Sequence, residues 1–181
     1  VNSTNGAGAF NDDTWDSIKY EFKHRYNYRG ENVTIKDGND TVLLAGQHSE
    51  LVDLVTWVKN CTDDEFYADL AKHFSIPHLI DYYLVAYAFS FIDSLGKNMV
   101  LTTFGRNDDG HTIWYPSFYD CDSVLGLANN GEIRYDAGVD MDRDAFNTKN
   151  SALWTKLKRK FSQEIKDRYV QLRRQRNIDG E

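Results

Sequence analysis

The chain has 181 residues, enough to bury one domain core and few for two, with 41% hydrophobic, 14% aromatic and 27% charged side chains and only two prolines. A net charge of -7 and a pI near 5.2 weigh against a general nucleic-acid binder, since no basic face shows outside the last predicted helix. The longest apolar run, around residues 82–92, is broken by tyrosines and Ser90 and is too short to span a bilayer.

Residues 1–14 are rich in Gly, Asn and Ser and read as a flexible lead. No charged amino-terminal region followed by an apolar segment marks a secretion signal. Opening on Val1 rather than methionine, the chain reads as a piece of a longer protein whose upstream part could hold half of an active site. Residues 12–28 carry two periods at once. Trp15, Ile18 and Phe22 keep helical spacing, while Tyr20, Phe22, Tyr26 and Tyr28 alternate as in a strand, and both readings stay open. Residues 29–46 are turn-rich, with Asp37-Gly38 favouring a tight turn.

From Ser49 the pattern is helical: Leu51, Leu54, Val55 and Val58 recur at three and four, with Ser49 as a cap. Thr62 followed by Glu65 predicts a capping box for a second helix, with acidic residues filling its first turn. Pro77 suits the first turn of a third helix, apolar nearly all round, ending near residues 94–96 with Gly96 as a left-handed cap. NMVLTTF and HTIWYPSFY then predict a hairpin joined by GRNDDG, with Pro116 at a sheet edge or shortening the ladder. Residues 127–150 form a polar, glycine-marked loop that could close over a site. The stretch after it predicts one long amphipathic helix, with Leu153, Trp154, Leu157, Phe161, Ile165, Tyr169 and Leu172 on one face and its basic runs in solvent. The fold class expected is α+β, mainly helical, divided into a lead at 1–48, a helical domain at 49–176 with a hairpin near 98–120, and a tail at 177–181.

The chemistry concentrates in residues 91–126. Asp93 ends the apolar helix; an ionised carboxylate there needs partners, either turn amides or a hydroxyl it orients or deprotonates. Lys97 and Asn98 read either as a solvated lysine and a turn asparagine, or as a phosphate-neutralising charge and a side-chain oxygen for a divalent cation. Asp120 and Asp122, if the strand continues through them, point to one side; they are caps for the following turn or a carboxylate pair relieved by magnesium. Cys121 between them then points into the core. Cys61 and Cys121 lack metal spacing and read as free core thiols. Asp140, Asp142 and Asp144 suggest calcium, but Ala145 and Ser151 stand where that loop needs glycine and glutamate. Asp136 and Asp140 remain weak acidic candidates, and the five histidines show no zinc spacing. The 11 tyrosines and 4 tryptophans could line a glycan groove, but Trp57, Tyr82 and Trp154 sit at helical core spacing.

Taken together, Asp93, Lys97-Asn98, the hairpin with its aromatic-Pro element, and Asp120-x-Asp122 before Gly126 resemble the spore-coat protein H (CotH) family of atypical protein kinases. Met99 stands where that family has an aromatic, two extra residues separate Pro116 from Asp120, and Leu125 precedes the glycine. The resemblance covers roughly residues 50–175 and implies a domain like the C-terminal lobe of a protein kinase. It implies Asp93 as catalytic base, Lys97 as electrostatic support toward ATP phosphates, Asn98 as a metal and cofactor contact, and Asp120 or Asp122 as principal Mg2+ ligand. A protein substrate or partner follows from the same resemblance. Residues 1–50 show no glycine-rich loop, so the nucleotide-covering lobe is expected upstream, and the isolated chain is expected to be inactive. The diluted wording SLGKNM and YDCDS is also similar to structural, tail-associated proteins of phages and prophages. That implies an alternative, non-catalytic role among other virion proteins, with a virion or bacterial cytoplasmic location.

Overall fold

The computed structural model describes residues 2–3, 20–21, 27–28, 31–32, 49–91, 94–95, 98–122, 124–125, 127, 131–132 and 151–175. It is a mixed, mainly helical α+β fold. Two short antiparallel pairs come first: β1 (Asn2–Ser3) with β2 (Tyr20–Glu21), and β3 (Asn27–Tyr28) with β4 (Glu31–Asn32). Tyr20 and Tyr28 thus lie in strands, while Trp15, Ile18, Phe22 and Tyr26 lie outside the described residues. Asp37-Gly38 lies outside the described residues.

Helix α1 (Ser49–Asn60) buries Leu51, Leu54, Val55 and Val58, the predicted stripe. Helix α2 (Asp63–Asp69) opens on the predicted capping box: the Glu65 amide donates to Thr62 Oγ1 at 3.2 Å, and the Thr62 amide to Glu65 Oε2 at 2.7 Å. A short 3-10 turn, Leu70–Lys72, leads to α3 (Ile76–Ala88), with Pro77 in its first turn.

Helix α3 stops earlier than expected. Its carboxyl end is a Schellman cap, with the Phe91 amide bonded to the Ala86 carbonyl at 2.9 Å and the Ser90 amide to that of Tyr87 at 3.3 Å. Ser90, at φ 52°, takes the left-handed position assigned to Gly96. Nor is α3 buried all round, since Pro77, His78, Tyr87 and Ala88 are exposed.

The hairpin pairs β5 (Met99–Arg106) with β6 (Thr112–Phe118), Met99 opposite Phe118 and Leu101 opposite Pro116. Pro116 costs no ladder bond. The Trp114 amide points outward to the His73 carbonyl at 2.8 Å, and Pro116, two residues on, shares that outer edge. Its carbonyl bonds His78 Nε2 at 2.8 Å.

The predicted long last helix is two: α4 (Ala152–Lys160) and α5 (Ser162–Gln175). They break at Phe161, whose backbone (φ -115°, ψ 26°) leaves the helix while its buried ring packs on Phe66 and Tyr67. The basic run at the end of α4 is solvated at Arg159 and partly so at Lys158 and Lys160, but not at Lys156. Arg159 pairs with Asp63 at 2.7 Å and Lys160 with Asp64 at 2.8 Å, while Lys156 is buried against α1. One apolar cluster joins α1, α2, α3, the hairpin and α4, with Trp154, Phe66 and Phe74 fully enclosed. Each such side chain contributes about 1.5–3 kcal/mol through burial. Among the described residues no helix is long and apolar enough to cross a membrane.

Candidate functional site

Antiparallel register gathers the candidate residues. Because Met99 faces Phe118, the residues just beyond both strand ends become neighbours. Asn98 sits there, 2% exposed, its Nδ2 donating to the Asp120 backbone carbonyl at 3.4 Å. Its Oδ1 is buried and has no hydrogen-bond partner among the described residues. A buried amide oxygen left this way calls for an explanation in strain, a catalytic role, or a water or ion.

The aspartates are placed by a turn, which corrects the strand expectation. β6 ends at Phe118, and Asp120 adopts φ 55°, the left-handed region that aspartate tolerates better than most residues. Asp120, Cys121 and Asp122 are all exposed. Strand alternation therefore does not carry Cys121 into the core. Neither cysteine is a core thiol as expected: Cys61 is half-buried and Cys121 lies at the surface. Partial burial, then the Asp120 and Asp122 charges, push the Cys121 thiol pKa up.

Asp93 and Lys97 lie outside the described residues, as do Asp136, Asp140, Asp142 and Asp144. Ser94 and Leu95, between the first two in sequence, are fixed from the core. Tyr82 Oη donates to the Ser94 carbonyl at 2.6 Å, and Trp154 Nε1 to the Leu95 carbonyl at 2.6 Å. Ser94 and Leu95 are both 2% exposed. Burial, followed by the Cys121 charge, raises the Tyr82 phenol far above its ordinary value, so it remains a donor. Its ring stacks on Phe118 at 4.1 Å and on Trp154 at 5.9 Å. These two clamps escaped the sequence reading; the signal available was a polar tip on each of two core-spaced aromatics. Beyond the turn, the Leu125 amide bonds the Phe89 carbonyl at 2.8 Å, and Leu125 too is left-handed at φ 54°. Ser90, Asp120 and Leu125 thus place three left-handed non-glycine residues around one end of the hairpin, the kind of strain that collects at functional sites.

A groove of about 310 Å³ runs between α3 and β6, lined in part by His78, Tyr82, Val85, Pro116 and Phe118. Asp81 also lines it, but Asn98, Asp120 and Asp122 do not. Among the described residues no three His, Cys, Asp or Glu side chains form a ready metal cage. The donors in view are oxygens: the Asn98 amide and two carboxylates. Magnesium is commonly held by one or two carboxylates, with water and phosphate completing its shell, so this set fits it in kind.

The CotH kinase protein family matches residues 10–176. The chain belongs to that family. Neither the curated proteins nor the solved structures compared with it supply a match. Within the CotH kinase match lie all five site residues expected from the sequence, of which the structure brings Asn98 against the Asp120–Asp122 turn.

Proposed function

We propose that this protein carries the metal and substrate end of an ATP- and Mg2+-dependent phosphoryl transfer to protein hydroxyl groups. The observation that carries the reading is buried Asn98 in a CotH kinase family chain: its Nδ2 donates to the Asp120 carbonyl, and its Oδ1 has no partner among the described residues. Asn98 with Asp120 or Asp122 would hold the cation, and Lys97 would neutralise phosphate charge. Magnesium, when bound, offsets negative charge on the phosphate oxygens. Asp93 would accept the substrate hydroxyl proton as that oxygen bonds to the γ-phosphorus; the bond from phosphorus to the β-bridging oxygen breaks, and ADP leaves with the electron pair. The Tyr82 and Trp154 clamps, which hold the Ser94 and Leu95 carbonyls between Asp93 and Asn98 in sequence, support this assignment.

Calorimetric titration of Mn2+ or Mg2+, with and without ATP, tests it on the native protein and on Asn98→Ala, Asp120→Ala and Asp122→Ala. Cation binding that depends on Asn98 and at least one aspartate is expected. Native protein that binds neither metal nor nucleotide would end the kinase reading and leave the non-catalytic role, as a virion scaffold or host-contact module, in its place.

A further inference from the structure

One side chain of α3 reaches both segments that carry the candidate site. Tyr82 is 3% exposed, and its ring stacks on Phe118 at 4.1 Å and 14° and on Trp154 at 5.9 Å and 8°. Phe118 ends β6 just before the Asp120 turn and pairs with Met99, the residue after Asn98. The far end of the same side chain, Oη, donates to the Ser94 carbonyl at 2.6 Å, on the segment that leads to Asn98. Ser94 is held from its other side too: its amide donates to the Phe91 carbonyl at 3.2 Å, and the Phe91 ring packs on Phe118 at 4.8 Å. A buried ring alone would satisfy the core. The hydroxyl has to be matched to a partner, and it is matched to a residue only 2% exposed, whose carbonyl would otherwise be left without one.

We propose that Tyr82 is a positioning residue: its hydroxyl, through Ser94, and its ring, through Phe118, set Asn98 against the Asp120–Asp122 turn so that the two segments serve one cation. The inference rests on the cation reading of Asn98 and the two aspartates given above. Tyr82 acts through these two neighbours and needs no contact with cation or substrate. The 3.4 Å bond from Asn98 Nδ2 to the Asp120 carbonyl is the place where the two segments meet, and it is the contact that a displaced Ser94 or Phe118 would disturb. Outer supports of this kind typically hold roughly 10- to 100-fold of a site's metal affinity.

Two substitutions separate the two contacts. Tyr82→Phe keeps the stack and removes the hydroxyl, while Phe118→Leu removes the stack and keeps the hydroxyl. In the intact protein each is compared with wild type by Mn2+ affinity, followed by electron paramagnetic resonance, and by amide NMR of the Asn98 side chain and the Asp120–Asp122 backbone without metal. Phe66→Leu is the control for a loosened core, since Phe66 is fully buried but stacks on Trp57 and Phe161 instead. Mn2+ affinity roughly 10-fold weaker is expected in Tyr82→Phe and in Phe118→Leu, with both sets of resonances displaced and the double variant losing less than the product of the two. Phe66→Leu should bind Mn2+ as wild type does. Unchanged affinity or unmoved resonances in Tyr82→Phe, or an equal loss in Phe66→Leu, would each overturn the positioning role; the magnesium reading would stand if Asn98→Leu still weakened Mn2+ binding. Displaced resonances in a protein that binds no Mn2+ would keep the link between the segments and end the magnesium reading. Neither Mn2+ binding nor displaced resonances would end both.

Discussion

A buried amide oxygen without a partner destabilises the structure that contains it by about 1–3 kcal/mol. Asn98 retains one among the described residues, and the bond from its Nδ2 to the Asp120 carbonyl is long at 3.4 Å. Leucine has nearly the same shape and no polar group to desolvate. Asn98→Leu should therefore leave metal-free stability within about 1 kcal/mol of wild type, or raise it, while weakening Mg2+ or Mn2+ binding. A loss above about 3 kcal/mol by urea unfolding would mean that Asn98 serves the fold instead. His73 gives a second prediction at this scale. Its ring stacks on Trp57 at 3.8 Å, and burial, then the His111 charge, hold its pKa below 6.5, with Lys72 adding and Asp69 opposing. Between that depressed value and 6.5 the unfolded chain binds more protons than the folded one. The contribution is thus complete above 6.5 and is lost as pH falls through the folded value. His73→Phe keeps a ring on Trp57 and cannot charge. Its melting temperature should fall less than wild type between about pH 7 and about pH 5; an equal fall would exclude His73 as a source.

Individual elements set the precision of the site. The Schellman turn at the end of α3 puts Ser90 at φ 52°, where a Cβ costs about 1–2 kcal/mol and glycine nothing. Ser90→Gly should stabilise the protein by about 0.5–1 kcal/mol after the added freedom of the unfolded chain is counted, read as a higher urea midpoint at unchanged slope. A lower midpoint would show that the serine side chain holds the turn. The Tyr82 and Trp154 bonds act on consecutive carbonyls of one short segment. Tyr82→Phe is expected to cost about 1–2 kcal/mol, Trp154→Phe about 2–4 kcal/mol with its lost volume, and the double variant less than their sum. Strict additivity in a denaturant cycle would mean that the two bonds hold separate structures. Local signals explain what could be read in advance here. The Thr62–Glu65 box, Pro77 and the α1 stripe are short-range patterns, and they fold as the residues require. The end of α3, the break at Phe161 and the turn at Asp120 are decided by tertiary packing and left-handed backbone, which hydrophobic period does not encode. For the same reason Asn98 and the Asp120 turn were legible as neighbours through the hairpin, while the exposure of Cys121 was not.

Across the whole molecule, polar links between distant elements divide into two kinds. Arg159–Asp63, Lys160–Asp64, Arg168–Asp81 and Arg106–Glu50 bind helices and hairpin together, but all have solvent access and each is worth at most about 1 kcal/mol, less in salt. Lys156 is different. It rises from α4, only 9% exposed, and its Nζ donates to the carbonyls of Val58 at 2.7 Å and Cys61 at 2.6 Å, with that of Lys59 at 3.3 Å. These are the carbonyls that the end of α1 leaves without helical partners, at the negative pole of its dipole. One ammonium thus closes α1 and fastens it to α4, and burial removes the screening that weakens the surface pairs. Two of its neighbours, Trp154 and Leu157, are fully enclosed in the core that supports the site segment. Lys156→Met keeps the aliphatic stem but strands those carbonyls, so a loss of about 2–4 kcal/mol is expected, with faster amide exchange at the end of α1. The surface pairs set the comparison: raising salt from about 0.05 M to about 0.5 M should lower wild-type stability by no more than about 1 kcal/mol. If that salt shift instead matched or exceeded the cost of Lys156→Met, the exposed ion pairs rather than the buried lysine would be what joins the helices around the site.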